Sequence, residues 1–148
     1  MMGYYRRYCE RRADARAVGT NGKRWIRTWI NVFRTETEAR VPQDEAQLAQ
    51  LICEGEFSCV GKSHSYNGVQ VVPSVTAMMM REGGLTTLAY DPASETVRVG
   101  ASVSVRDLKV YLRDEHRRGL HNAGNYMEQS VHGALGPGAH GSGLPGGR

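Results

Sequence analysis

The spacing of apolar residues predicts a chain that mixes short helices with short strands. In "EARVPQDEAQLAQLICEG" a short strand precedes a helix that Pro42 opens, and apolar residues recur at helical spacing until Gly55. "FSCV" and "VQVVPSV" are typical of strands, which we place at 57–60 and 69–72. A loop rich in glycine and serine lies between them, and Pro73 limits the second strand to an edge or an end.

A hairpin and a capped helix are predicted next. "LTTLAYDPASETVRVGASV" contains two alternating runs around the turn residues Asp91 and Pro92. Ser104 and Asp107 have the spacing of a helix N-terminal cap ahead of "VRDLKVYLRDEHRRG", and Gly119 is the predicted end of that helix. From residue 120 onwards most of the chain has no helical or strand period. The fold class predicted from these patterns is α+β, without internal repeats.

The positive charge of the chain is confined to its N-terminal end. Residues 1–30 carry eight Lys or Arg against two acidic residues, whereas the other 118 carry eleven basic and thirteen acidic residues. This predicts a basic extension over residues 1–28 and a folded domain over residues 29–148. The extension interleaves Arg with aromatic residues, so it could bind nucleic acid or act as an Arg-rich targeting segment. A solvated extension is the favoured interpretation, and no nucleic-acid partner is expected.

Length and composition narrow the class of protein. A chain of 148 residues has the size of one domain and can bury a core. Three cysteines are an odd number and provide no disulfide framework, which favours a reduced, intracellular setting. No apolar run approaches the roughly 20 residues that span a bilayer, so no stable membrane span is expected. We expect a cytoplasmic protein, with a mitochondrial location as the alternative that the Arg-rich N-terminus allows.

Two segments rich in small residues carry the candidate chemistry. They are "VGKSHSYNG", residues 60–68, and "LHNAGNYMEQSVHGALGPGAHGSG", residues 120–143. Glycine-rich turns let backbone N–H groups converge on an anion. Neither segment has the spacing of GxxxxGK[ST] or of GxGxxG, which disfavours a P-loop and a Rossmann site. The absence of CxxC, HExxH and GxSxG motifs likewise disfavours a standard zinc site and a serine-hydrolase elbow.

Taken in this order, the two segments resemble the FAD-binding (PCMH-type) domain of the vanillyl-alcohol-oxidase superfamily. The resemblance is closest to the sugar-1,4-lactone oxidases and alditol oxidase, and it covers about residues 25–143. In that family a loop ending in His-Ser wraps the FAD pyrophosphate, and a later stretch similar to "GAHGSG" packs along the flavin. The resemblance therefore implies FAD as the cofactor.

The resemblance also assigns individual residues. His64 matches the histidine that many members bond covalently to the flavin 8α-methyl carbon, and a neutral imidazole is a competent nucleophile for that bond. The alternative is a loop histidine packed against its own turn. Ser63 stands where many members have glycine, while His132 and Pro137 are further departures from the pattern. The implied pyrophosphate loop comprises Gly61, Lys62, Ser63 and Ser65, and the later flavin contacts are Asn125, Ser130, Gly133, Gly138 and His140.

The implied activity is that of a flavin-dependent oxidoreductase. It would remove a hydride from an alcohol or lactol carbon of a small polyol or sugar lactone, with oxygen as the expected acceptor. Because the family's flavin domain continues beyond the equivalent of Gly143 and a substrate domain follows, the chain is expected to be a truncated N-terminal part of such a domain. It would be a fragment, a truncated reading frame or one part of a split enzyme. Two alternatives stay open: a non-catalytic flavin-domain fragment, and a basic protein associated with nucleic acid.

Overall fold

The computed structural model describes residues 23–142, which form six β-strands and three α-helices. The α+β prediction is confirmed. The strands are β1 Lys23–Arg27, β2 Arg34–Arg40, β3 Phe57–Val60, β4 Thr76–Met79, β5 Leu88–Asp91 and β6 Thr96–Val99. The helices are α1 Glu45–Cys53, α2 Val105–His116 and α3 Val131–Leu135, and a 3₁₀ turn covers Met80–Glu82.

Four of the strands form one mixed sheet in the order β1-β2-β4-β3. The pair β1 and β2 is antiparallel, whereas β4 runs parallel to both β2 and β3. Residues of three of these strands form a buried cluster: Ile26, Val60, Ala77 and Met79. Since β3 and β4 are parallel, the chain that leaves Val60 must return along the sheet through residues 61–75 before it can pair again.

The strand predicted at 69–72 is wrong, because the partner of β3 begins only at Thr76. Residues 68–71 form a turn, which the Val71 backbone N–H closes by donating to the Gly68 carbonyl at 2.8 Å. Pro73 has no N–H to donate, and Ser74 has a left-handed backbone with φ of 66°. Val71 packs against the buried cluster of the sheet without belonging to a strand, whereas Val69 is exposed.

The helix predicted after Pro42 is confirmed as α1, although it begins at Glu45. The Asp44 side chain caps it by accepting a hydrogen bond from the Gln47 backbone N–H at 2.7 Å. Pro42 is fully buried ahead of this cap, and Gly55 follows the helix with φ of 145°. No residue of α1 is buried, so the helix lies on the surface of the described structure.

The predicted hairpin and the predicted cap of the long helix are both confirmed. Strands β5 and β6 pair antiparallel, and the carboxylate of Asp91 accepts hydrogen bonds from the Ala93 N–H at 2.9 Å and the Ser94 hydroxyl at 2.5 Å. Ser104 Oγ accepts from the Asp107 N–H at 3.0 Å, and the Asp107 carboxylate accepts in return from the Ser104 N–H at 3.2 Å. This reciprocal pair is a capping box.

The predicted end of α2 at Gly119 is wrong, since the helix ends at His116. Arg117 takes the left-handed conformation with φ of 53°, which lets the Arg118 N–H donate to the Leu112 carbonyl at 2.9 Å. An arginine thus occupies the position that glycine most often takes at a helix C-terminus. The helix closes one turn earlier than its sequence indicated.

A second buried cluster joins α2 to the start of the glycine-rich segment. Its members are Val103, Val105, Leu108, Leu112, Val131 and Ala134, and the apolar face of the hairpin packs against them. Helix α3 contributes the last two of these residues, although the sequence showed no period there. A helix of five residues is too short for apolar periodicity to identify it.

Part of the predicted basic extension belongs to the sheet. Residues 23–27 form β1, in which Lys23 lies opposite Glu38 and Ile26 is buried. Residues 1–22 lie outside the described residues, so the division into 1–28 and 29–148 stays a prediction.

Candidate functional site

The loop that contains His64 begins directly after β3. Val60 ends this strand and is fully buried, so residues 61–65 emerge at the carboxyl end of two parallel strands. Ligands of sheets with parallel strands bind outside that end. Ser63 has a left-handed backbone with φ of 58°. The position therefore demands the conformation that glycine adopts freely, and serine there costs about 1–2 kcal/mol.

The imidazole of His64 lies in a corner formed by two aromatic rings. Its centroid is 4.3 Å from that of Trp29 and 4.1 Å from that of Tyr126, and those two rings are 6.0 Å apart. These distances form a nearly right-angled triangle with the corner at His64. The two rings thus lie on adjacent sides of the imidazole.

Backbone hydrogen bonds hold one wall of this corner in place. The Trp29 N–H donates to the Ser65 carbonyl at 3.0 Å, which ties the connection between β1 and β2 to the His64 loop. Thr28 is buried beside it, and its carbonyl accepts from the Asn31 N–H at 3.0 Å. The loop therefore contacts a second segment of chain on the side where its histidine lies.

Ser130 joins the loop to the glycine-rich segment. Its side chain caps α3 by accepting from the Gly133 N–H at 3.1 Å, and Ser130 is only 4% exposed. A Cβ atom at Gly61 would lie 3.2 Å from Ser130 Oγ, and a Cβ atom at Gly133 would lie 2.8 Å from the same oxygen. Both glycines therefore leave room for this hydroxyl, and residue 61 lies beside the start of α3.

The two segments that the sequence analysis paired thus meet in space. Gly61 lies against Ser130, and His64 contacts Tyr126, which belongs to the second segment. Lys62, Ser63 and Ser65 share the half-buried loop with them. Ser65 Oγ donates to the Asn67 side-chain oxygen at 2.7 Å, which closes the loop on itself.

The other predicted residues of the second segment are exposed: Asn125, Gly133, Gly138 and His140. Nδ1 of His140 is 2.8 Å from the carbonyl of Gly141. The Gly141 N–H in turn donates to Asn122 Oδ1 at 3.0 Å, so the two ends of the segment are held side by side. The described contacts of His140 are therefore within its own segment.

Sequence reasoning missed the two aromatic residues of the corner. Trp29 stands some 35 residues before His64 and Tyr126 about 60 after it, and no periodicity connects the three. The one available signal for Tyr126 was its place within the second small-residue segment. Only the pairing of distant strands brings these rings together.

Electrostatics near the loop favour an anionic ligand. Lys62 supplies a positive charge, and the backbone and hydroxyl groups of the loop are the donors that phosphate oxygens accept from. Partial burial of the sulfur raises the pKa of the Cys59 thiol, so this neighbour in β3 adds no negative charge. Within residues 23–142, no group of three or more His, Cys, Asp or Glu is placed to hold a metal ion. No helix in this part of the chain is long and apolar enough to cross a membrane.

The residues of the loop fit the pyrophosphate of FAD. Gly61 has no side chain, and a methyl group there would fill the space beside Ser130. The left-handed Ser63 turns the chain sharply, as loops that approach an anion with their backbone do. His64 follows, with its imidazole beside the rings of Trp29 and Tyr126.

Comparison with known proteins agrees with this interpretation. The family profile described as FAD binding domain matches residues 39–146, which is more than half of the chain. No curated protein matches. Two solved structures of cholesterol oxidase from Brevibacterium sterolicum have the same fold, one of them a histidine-to-alanine mutant, each with a TM-score of 0.71. They share 19% and 20% sequence identity with this chain, and each alignment covers 83% of it.

The match spans 25% of the length of each of those structures. At this identity the likeness concerns the fold alone. The chain belongs to the FAD binding domain family.

Proposed function

We propose that the protein holds FAD between the 61–65 loop and the segment from Asn125 to His140. The observation that carries this proposal is the meeting of the two segments at Ser130, whose hydroxyl contacts both Gly61 and Gly133. In this arrangement Lys62 and the loop backbone neutralise the pyrophosphate. Ser63 and Ser65 add hydroxyl groups, and the second segment lies along the flavin.

The same proposal makes His64 the point of covalent attachment. His64 donates a lone pair from a ring nitrogen to the flavin 8α-methyl carbon, where the new N–C bond replaces a C–H bond. The two electrons of that C–H bond reduce the flavin. Attachment is therefore completed by dioxygen, which removes two electrons and two protons as hydrogen peroxide. The half-buried loop that carries His64 leaves the carboxyl end of two parallel strands, where ligands of such sheets bind.

Attachment is tested by acid precipitation of the full-length protein after incubation with FAD in air. We expect the wild-type pellet to keep the yellow colour, and the His64→Ala pellet to lose it to the supernatant. The control is Val110→Ala, since Val110 is exposed on α2 and lies outside both segments. If the wild-type protein also releases all its flavin, His64 is a loop histidine and the attachment is rejected.

For the complete protein we propose oxidation of a CH–OH group in a small polyol or sugar lactone, with oxygen as acceptor. Bound flavin supplies the hydride acceptor, while the protein binds and orients it. The support is the resemblance of the two motifs to sugar-lactone and alditol oxidases. The fold likeness to cholesterol oxidases adds a sterol alcohol as the competing substrate class.

Anaerobic mixing of the flavin-loaded protein with each substrate class tests this. We expect alditols or aldonolactones to bleach the flavin absorbance, and air to restore it. Bleaching by cholesterol alone would replace the proposed substrate class. Absence of bleaching by all three would favour a non-catalytic flavin-binding fragment.

A further inference from the structure

The ring of His64 is restrained from two directions by residues that belong to separate parts of the chain. Trp29 comes from the connection after β1, and Tyr126 comes from the segment before α3. The planes of Trp29 and His64 are inclined by 33°, which places the indole across a face of the imidazole. Tyr126 meets the imidazole at 53° from an adjacent side.

Each wall is attached to the fold by contacts besides those with the loop that carries the histidine. On one side, Thr28 is buried and its N–H donates to the Phe33 carbonyl at 3.0 Å, which closes a tight turn around Trp29. On the other side, the Met127 carbonyl accepts from the Arg106 N–H at 3.0 Å, directly after Tyr126. Each ring is therefore held by a contact that does not pass through the loop, in addition to the Trp29 N–H bond to Ser65.

This arrangement limits the rotation of the imidazole. A histidine side chain on a surface loop samples several staggered rotamers. Two fixed rings on adjacent sides exclude the rotamers that would turn the imidazole into them. The lone pair of a neutral imidazole lies in the plane of its ring, so fixing that plane also fixes the direction of nucleophilic attack.

We infer that Trp29 and Tyr126 are positioning residues, which hold the His64 imidazole in the orientation that attacks the flavin. The inference rests on the proposed attachment at His64. An aromatic pair contributes enough to shift a rotamer population by about 3- to 10-fold. Loss of either wall should therefore slow attachment by about 3- to 10-fold, while dissociable FAD binding through the loop backbone stays within 2-fold.

The experiment compares leucine and phenylalanine at each wall. Full-length protein free of flavin is mixed with FAD in air, and the formation of acid-stable flavin is followed over time. We expect Trp29→Leu and Tyr126→Leu to be slower, and Trp29→Phe and Tyr126→Phe to be within 2-fold of the wild type. The matched control is Trp25→Leu, since Trp25 is an exposed indole on β1 only four residues away. That variant should attach flavin at the wild-type rate.

A second measurement needs no flavin. The His64 ring-proton resonances, assigned by their loss in His64→Ala, should carry the ring-current shifts of both neighbours. Those shifts should change in each leucine variant but not in Trp25→Leu. Because the walls come from separate segments, each leucine variant tests the proposal even if the other folds poorly.

The outcomes separate the inference from the proposed function. If the wild type attaches flavin and both leucine variants do so at the same rate, the positioning role is rejected while the attachment stands. If no variant and no wild-type sample forms acid-stable flavin, the attachment itself fails and the inference fails with it. Unchanged ring-proton shifts in the leucine variants would show that the aromatic corner does not exist in solution.

Discussion

Adding one methyl group at Gly61 should weaken the junction between the two segments. The new Cβ would lie 3.2 Å from Ser130 Oγ, closer than an ordinary contact. Ser130 is 4% exposed and its hydroxyl already caps α3, so it cannot turn away without losing the Gly133 hydrogen bond. Overpacking of this kind costs about 1–3 kcal/mol. Lower chain entropy in the unfolded state returns about 0.4–1 kcal/mol, so Gly61→Ala should be destabilising by about 0.5–2 kcal/mol.

The assay is urea unfolding of the variant and the wild type. A shift of the midpoint counts as a change in stability only where the dependence of the unfolding free energy on urea concentration is the same in both proteins. Gly119→Ala is the matched control, because a Cβ there meets nothing within 4 Å and the backbone is not left-handed. It should be neutral or stabilising by up to about 1 kcal/mol. The double variant Gly61→Ala with Ser130→Ala removes the crowded oxygen. In the Ser130→Ala background, Gly61→Ala should lower the free energy of unfolding by at least about 1 kcal/mol less than it does in the wild type.

The contact of residue 61 with Ser130 is refuted if Gly61→Ala lowers the free energy of unfolding by the same amount with and without the Ser130 hydroxyl. A cost equal to that of Gly119→Ala would refute it as well. Either result would mean that the loop does not lie against the start of α3.

Three further changes test other parts of the structure by urea unfolding. Leu112 is 4% exposed in the cluster around α2, so Leu112→Ala should lower the free energy of unfolding by about 2–5 kcal/mol. Val110→Ala on the exposed side should change it by no more than about 0.5 kcal/mol, and equal effects would mean that another face of α2 is buried. Gly141→Ala should be more harmful than Gly61→Ala, because its Cβ would lie 2.3 Å from the Ala123 carbonyl oxygen; a neutral result would contradict the pairing of the two ends of the glycine-rich segment. Hydrogen bonds from the Ser94 hydroxyl and the Ala93 N–H lower the pKa of Asp91, so its contribution is complete above the ordinary carboxyl pKa of about 3.9 and is lost as pH falls through the lowered value. The urea midpoint of Asp91→Ala should therefore fall less steeply than that of the wild type below pH 4, and parallel curves would contradict this.

Local features of the fold could be predicted from the sequence because their partners are close along the chain. The capping box of α2 joins Ser104 to Asp107, and the hairpin turn joins Asp91 to Ser94, so in each case a short motif contains the whole interaction. Strand β4 could not be found in this way. Its pairing with β3 depends on residues about 19 positions away, and an apolar stretch nearer to β3 gave the stronger strand signal.

The candidate site shows the same division. The order of the two small-residue motifs indicated that they share a ligand, and the meeting of Gly61 with Ser130 agrees with this. Strand β1 was hidden by its charges, since only Ile26 of "KRWIR" is buried. Trp29, which follows that strand, was therefore not connected to His64. The aromatic corner depends on sheet pairing, which no local pattern of residues specifies.

The proposal that the 61–65 loop binds FAD and that His64 attaches it covalently is tested by finding which tryptic peptide carries the flavin. Full-length protein is incubated with FAD in air, denatured, and cleaved with trypsin after Lys62 and Arg81. We expect flavin fluorescence and the corresponding added mass on the peptide from Ser63 to Arg81, with fragmentation placing it on His64. Flavin on any other peptide, or complete release of flavin on denaturation, would contradict attachment at His64.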